Sequence, residues 1–118
     1  MKYNKYKGKE RDFQIAVATY LDFLGVLWAH VPNGGTRNKA EAASLKRQGV
    51  KSGFPDICIL EPNKDYHGLF IELKVGYNKP SDNQKYWLDR LGVRSYKTAV
   101  CYSFLEVKDI ISEYLKIK

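Results

Sequence analysis

Along residues 69–75 apolar and polar positions alternate. Leu69, Ile71, Leu73 and Val75 fall on one side of an extended chain and Phe70, Glu72 and Lys74 on the other, because successive strand side chains point to opposite faces. A short continuous apolar run, Ile57-Cys58-Ile59-Leu60, comes before it, led in by Pro55-Asp56, and the stretch 61–68 between the two is dense in breakers. This pattern predicts strand, turn, strand. Elsewhere the period is helical. Phe13, Val17, Tyr20, Leu21 and Leu24 predict a helix over 10–24 ended by Gly25, and the alanine-rich segment 38–48 predicts a short helix with one basic edge ended by Gly49. Gln84, Trp87, Leu88 and Leu91 share one face of a helix that starts at Ser81 and closes at Gly92. A last helix runs from Ser103 to Lys116 and buries Phe104, Val107, Ile110, Ile111, Tyr114 and Leu115. Ser81 with Gln84 and Ser103 with Glu106 each fit a capping box. Strands over 26–31 and 96–102 complete the set. Residues 32–37 form a turn whose glycines and asparagine allow unusual backbone angles, and 76–80 form a loop.

The order is helix, strand, helix, strand, strand, helix, strand, helix. It predicts an α/β fold with a mixed central sheet flanked by helices on both faces, the central hairpin antiparallel and at least one crossover parallel. At 118 residues the chain is one domain, residues 1–118, with room for a single core. Apolar residues at 44% and charged residues at 28% describe a folding, soluble chain. No internal repeat or interdomain linker interrupts it.

Charge narrows the partner. A formal net charge of +7 and a pI near 9.4 favour a polyanion, since clustered Lys and Arg release counterions from phosphate backbones. No apolar run reaches the length of a membrane span, and the first seven residues lack the apolar core of a signal peptide. The expectation is a cytoplasmic protein with no membrane partner. Cys58 and Cys101 sit in apolar runs without the paired spacing of a zinc site, which predicts buried reduced thiols. Residues 1–9 read as a flexible basic arm, which either touches DNA or is a frayed, solvated terminus.

Glu72 and Lys74 point the same way, opposite an aliphatic row, beside an aspartate that opens the neighbouring strand. Two carboxylates on adjacent strands suit a hard divalent cation, which takes oxygen ligands and keeps waters. Asp56 and Glu72 are the candidate ligands, and Lys74 is placed to orient an attacking water and offset charge on phosphorus-bound oxygen. The chemistry that fits is metal-assisted hydrolysis of a phosphodiester. The competing structural reading is an exposed strand ion pair between Glu72 and Lys74, which contributes little stability.

Pro55-Asp56 followed by Glu72-Leu73-Lys74 resembles the PD-(D/E)XK nuclease motif. The fuller strings 46–56, His67 to Lys74 and Ser81 to Leu88 resemble the VRR-NUC branch, the virus-type replication and repair nucleases, and with the amino-terminal helix the resemblance covers nearly the whole chain. It implies a restriction-endonuclease-like core and an endonuclease dependent on Mg2+ or Mn2+ that leaves a 5′-phosphate and a 3′-hydroxyl. It also implies that Glu10, with Gln14 four positions on, adds an acidic group to the site. The Leu73 carbonyl then helps bind metal and Gln84 borders the site. From the residues alone, Glu10 is a helix-start acid favoured by the helix dipole, and Gln84 is a cap residue.

Arg37 and Lys39, close behind the 32–37 turn, bring cations to phosphate or belong to a plain connection. Lys46, Arg47 and Lys51, upstream of Asp56, are DNA-backbone contacts or a solvated face. His30 is structural or functional on equal terms. The resemblance adds that compact relatives include enzymes acting on branched DNA such as four-way junctions and are common in phages and mobile elements; a phage-encoded protein would work in the host cytoplasm. Paired cuts by a domain with one site require two copies about a two-fold axis, so a homodimer is expected. The alternative from another class is a nucleic-acid-binding module that keeps the fold without cutting.

Overall fold

The computed structural model describes residues 5–32 and 38–116. Four helices and four strands follow in the order α1 (Glu10–Leu24), β1 (Trp28–His30), α2 (Lys39–Arg47), β2 (Ile57–Ile59), β3 (Leu69–Leu73), α3 (Asp82–Gly92), β4 (Lys97–Cys101) and α4 (Phe104–Leu115). The strands form one sheet in the order β1-β2-β3-β4. β1 and β2 pair antiparallel, as do β2 and β3, whereas β3 and β4 run parallel. The mixed α/β sheet expected from the residue pattern is therefore present. Its parallel pair is joined through α3, the kind of crossover that parallel neighbours need.

The alternation in β3 divides the core. Leu69, Ile71 and Leu73 join Ile57 and Ile59 in the main core, closed over by Phe13, Val17 and Leu21 of α1 and by Val107, Ile111 and Tyr114 of α4. These helix positions recur every three or four residues, which puts them on one stripe. On the opposite face Cys58 and Phe70 meet Leu91 of α3, with Phe54, Trp87 and Tyr96 packed around them. The Phe54 ring lies edge-on to both Phe70 (5.8 Å) and Trp87 (5.0 Å). α2 buries none of its residues.

The helix starts follow the predicted chemistry with one difference. Ser81 Oγ accepts from the Gln84 N–H while Gln84 Oε1 accepts from the Ser81 N–H, a complete capping box. At α4, Ser103 Oγ accepts from the Glu106 N–H (3.1 Å), but the Glu106 carboxylate reaches past the cap to the Tyr102 N–H (2.7 Å). The return arm of the expected box is thus displaced by one residue, from the Ser103 amide to the Tyr102 amide.

Strand ends are shorter than the apolar runs suggested. β1 covers Trp28–His30 within the expected 26–31, although the Leu60 N–H still donates to the Leu27 carbonyl (2.9 Å) beyond it. The arm expected over residues 1–9 is docked where it is described. The Tyr6 N–H donates to the Tyr102 carbonyl (2.6 Å), the Tyr6 carbonyl accepts from the Gly76 N–H (3.0 Å), and the Tyr6 ring stacks on Phe13 at 4.7 Å. An aromatic ring and two backbone bonds outweigh the basic character of its neighbours. Both cysteines are buried and free, and burial pushes the Cys58 thiol up to about 11 and the Cys101 thiol to about 12, which leaves them unreactive. Among the described residues no helix is long and apolar enough to cross a membrane.

Candidate active site

Asp56 stands one residue before β2, and the β2–β3 register that pairs Ile57 with Ile71 puts it across from Glu72. Because Asp56 lies two residues from Cys58 and Glu72 two from Phe70, the carboxylates continue the face that α3 covers, past the end of its aromatic cluster. Lys74 follows on the same side, held in the ladder by its N–H to the Cys101 carbonyl (3.0 Å).

Both carboxylates are buried, Asp56 at 9% and Glu72 at 2% exposure. Asp56 Oδ2 accepts from the Leu73 N–H at 2.8 Å. Glu72 Oε2 accepts from Gln84 Nε2 at 2.6 Å and lies 3.8 Å from the Lys74 ammonium, which is itself only 13% exposed. The other Glu72 oxygen, Oε1, is buried without a hydrogen-bond partner. Burial with too few donors disfavours the charged form. Burial, the Asp56 charge and, further off, Glu10 push the Glu72 carboxyl up to about 8, against the opposing pull of Lys74. Asp56 is raised as well, chiefly by burial, with the Leu73 amide, His30 and Lys74 pulling the other way. Burial therefore favours the protonated form at both carboxyls, most of all at Glu72, which also faces the Asp56 charge.

Gln84 serves two ends with one side chain. Its Oε1 caps α3 at Ser81 while its Nε2 fixes Glu72, so the cap and the site border are compatible roles. The other side of the site is fastened to the same helix. Gly53 has φ +89°, and a Cβ there would come within 2.6 Å of the Asn83 backbone carbon. Only glycine lets the segment leading to Asp56 lie against the start of α3. Asn83 Nδ2 also donates to Ser52 Oγ (3.3 Å). The beginning of α3 thus braces both carboxylate-bearing segments.

Glu10 opens α1 in an exposed position and reaches the pair through its effect on Glu72. Lys39, Lys46 and Arg47 are exposed along α2, the last two in its final turn, and Lys51 is exposed on the approach to Gly53. Arg37 lies outside the described residues. The structure therefore brings together Asp56, Glu72, Leu73, Lys74 and Gln84, keeps Glu10 at electrostatic range and leaves Lys39, Lys46, Arg47 and Lys51 exposed on the surface. His30, left open from sequence, belongs beside Asp56. Its Nδ1 lies 2.6 Å from the Asp56 carbonyl oxygen, a contact made by the tautomer that donates from Nδ1. No spacing rule could point to it, because β1 and β2 meet only through sheet pairing.

Among the described residues no group of three or more His, Cys, Asp or Glu side chains converges as a ready cage for an ion. The residues present nevertheless fit a magnesium-like cation, which takes one or two carboxylates and keeps its waters. The partnerless Glu72 Oε1 beside a second buried carboxylate is the oxygen such an ion would satisfy.

The fold agrees with what the chain is similar to. The family model of the VRR-NUC domain matches residues 8–105. A solved structure described as a VRR_NUC domain protein superposes with a TM-score of 0.76 at 29% sequence identity, covering 94% of this chain and 92% of that one. Comparison with curated proteins gave no match. With a family match over most of its length and the same fold in a solved member, this chain belongs to the VRR-NUC family of nuclease-type domains.

Proposed function

We propose that the domain is a Mg2+- or Mn2+-dependent DNA endonuclease of the PD-(D/E)XK type, selective for branched DNA such as four-way junctions. The observation that carries this reading is the Glu72 side chain: 2% exposed, one oxygen shared by Gln84 and Lys74, the other buried and partnerless against a second raised carboxylate. A buried polar atom left without a partner costs stability, and such an oxygen on Glu72 beside the buried Asp56 carboxylate is explained by a cation that the two would jointly hold.

Asp56 and Glu72 would hold the metal, with the Leu73 carbonyl and Glu10, directly or through water, as further oxygen donors. A divalent cation bound there supplies a Lewis acid for phosphoryl oxygen and lowers the pKa of water. Gln84 keeps Glu72 in one rotamer by occupying Oε2. Lys74 orients the attacking water and offsets the charge gathering on the phosphoryl oxygens. The water oxygen bonds to phosphorus in line as the bond from phosphorus to the 3′-oxygen breaks. A 5′-phosphate is left, and the departing oxygen takes a proton to become the 3′-hydroxyl. Lys39, Lys46, Arg47 and Lys51, with Arg37, hold the DNA backbone, and a homodimer places two sites for paired cuts.

The test is cleavage of labelled four-way junction, flap, linear duplex and single-stranded DNA by the native protein and Lys74→Ala, with magnesium, manganese or chelator. Metal-dependent cutting is expected, reduced in the variant by roughly 10²–10³-fold, as for loss of one transition-state donor, with circular dichroism unchanged. Tight binding of DNA with no cutting under any metal would instead identify a binding module that keeps the fold. Light scattering on the protein with and without junction reads the dimer directly.

A further inference from the structure

Immediately beyond Lys74 the chain makes a tight turn over 75–78 in which the Asn78 N–H donates to the Val75 carbonyl (3.2 Å). Gly76 takes the first central position with φ +56°, and Tyr77, at negative φ, takes the second, the pattern of a type II′ turn. The turn is pinned from outside, since the Gly76 N–H also donates to the Tyr6 carbonyl (3.0 Å). The side chain at its tip is 87% exposed, the most exposed of the large hydrophobic side chains in the described residues. Lys5 Nζ lies over the Tyr77 ring at 4.1 Å and over Tyr102 at 5.3 Å. Lys79 follows two residues on, also exposed. A large aromatic side chain held out in water adds nothing to the core, and here it stands three residues along the chain from Lys74 with the Lys5 ammonium over its ring.

We infer that Tyr77 is a stacking platform for an unpaired nucleobase of the DNA strand entering the site. This rests on the nuclease reading for its location and adds a specificity-determining contact to it. Every base has a π-face, so an exposed ring flanked by cations binds single strands with little sequence preference. Within a continuous duplex both faces of each base are covered by its neighbours. The ring can therefore be used only where stacking is interrupted, at a flap, a gap, a junction centre or a free strand. Lys5 covers the ring on one side and adds positive charge for the adjoining phosphate, leaving the rest of the ring open.

The experiment measures binding by fluorescence anisotropy, in chelator, of a labelled single-stranded oligonucleotide and a long linear duplex of the same sequence to the native protein, Tyr77→Ala and Tyr77→Trp. Because the side chain is exposed, both variants should fold, which far-ultraviolet circular dichroism verifies. Tyr77→Ala is expected to weaken single-strand binding by about tenfold and leave duplex binding unchanged, while Tyr77→Trp keeps single-strand affinity. With 2-aminopurine in the oligonucleotide, quenching on binding should be lost in Tyr77→Ala alone. Equal loss on both substrates, or no loss on either, overturns the inference. Binding in chelator does not depend on cleavage. Selective loss in a protein that never cuts would keep the platform and remove the nuclease reading, whereas metal-dependent cutting without that selectivity would remove the platform alone.

Discussion

On one face of β3, Leu69, Ile71 and Leu73 are wholly buried beneath α1 and α4; on the other, Phe70 packs under α3 and is followed by Glu72 and Lys74. The two faces share one backbone and one set of ladder hydrogen bonds, yet they differ in how they treat water. The first removes apolar surface from it and gains stability at roughly 25 cal/mol per Å². The second removes carboxylates from it and loses stability, leaving an oxygen without a partner. An arrangement that costs stability persists when it serves a reaction or a ligand. The difference also places the site: it begins where the aromatic cluster of the α3 face ends.

The contrast can be broken most strongly from the apolar side. Ile71→Ala should destabilise the domain by roughly 2–5 kcal/mol through lost burial and the cavity left behind, read as a lower denaturation midpoint. Whatever cleavage the native protein shows should persist well below the new midpoint, since Ile71 faces away from the carboxylates. A substitution on that face that abolished cleavage while the protein stayed folded would mean the faces are not independent.

A smaller effect is expected at the brace. Gly53→Ala forces a side chain onto positive φ and against the Asn83 backbone at 2.6 Å, strain of about 1–3 kcal/mol. Thermal melts should show that loss, together with reduced DNA cleavage, because the segment carrying Asp56 must shift away from α3.

The most gradual lever is pH. Glu72 has a folded pKa of about 8 against an ordinary 4.5, so the folded state binds the proton more tightly than the unfolded one. That contribution is fully present below pH 4.5 and is lost as pH rises through 8, by at most about 1.4 kcal/mol per pH unit; Asp56, shifted in the same direction, adds to it. Metal-free protein should therefore lose stability from about pH 5 to 8 in denaturant titrations. Glu72→Gln should flatten that slope and be the more stable protein at pH 8, while losing cleavage. Added divalent metal should raise native stability at pH 8 and leave Glu72→Gln unmoved. A native profile that rises across this window would show that the buried carboxylates are not the uncompensated pair described here.

What the sequence by itself determined is local. The period of two in residues 69–75 put Glu72 and Lys74 on one face, because strand geometry needs no tertiary information. The helical stripes of α1 and α4, the Ser81–Gln84 box and the hairpin around Pro62 follow from rules that act within a few residues. The motif Pro55-Asp56 with Glu72-Leu73-Lys74 named the core of the candidate site for the same reason. Contacts between distant segments were decided only by the tertiary structure. His30 meets Asp56 because β1 joins the sheet edge beside β2, and Tyr6 is docked because Phe13 and the Gly76 amide wait for it. Gly53 is held to glycine because Asn83, thirty residues on, comes against it. Gln84 read as a cap, with a site role implied only by resemblance; packing α3 onto the sheet turned its amide to Glu72 Oε2 and left Glu72 Oε1 alone. Burial, orphaned oxygens and raised carboxyl groups are properties of an assembled interior. A linear pattern carries the residue types but not the distances that make them chemical.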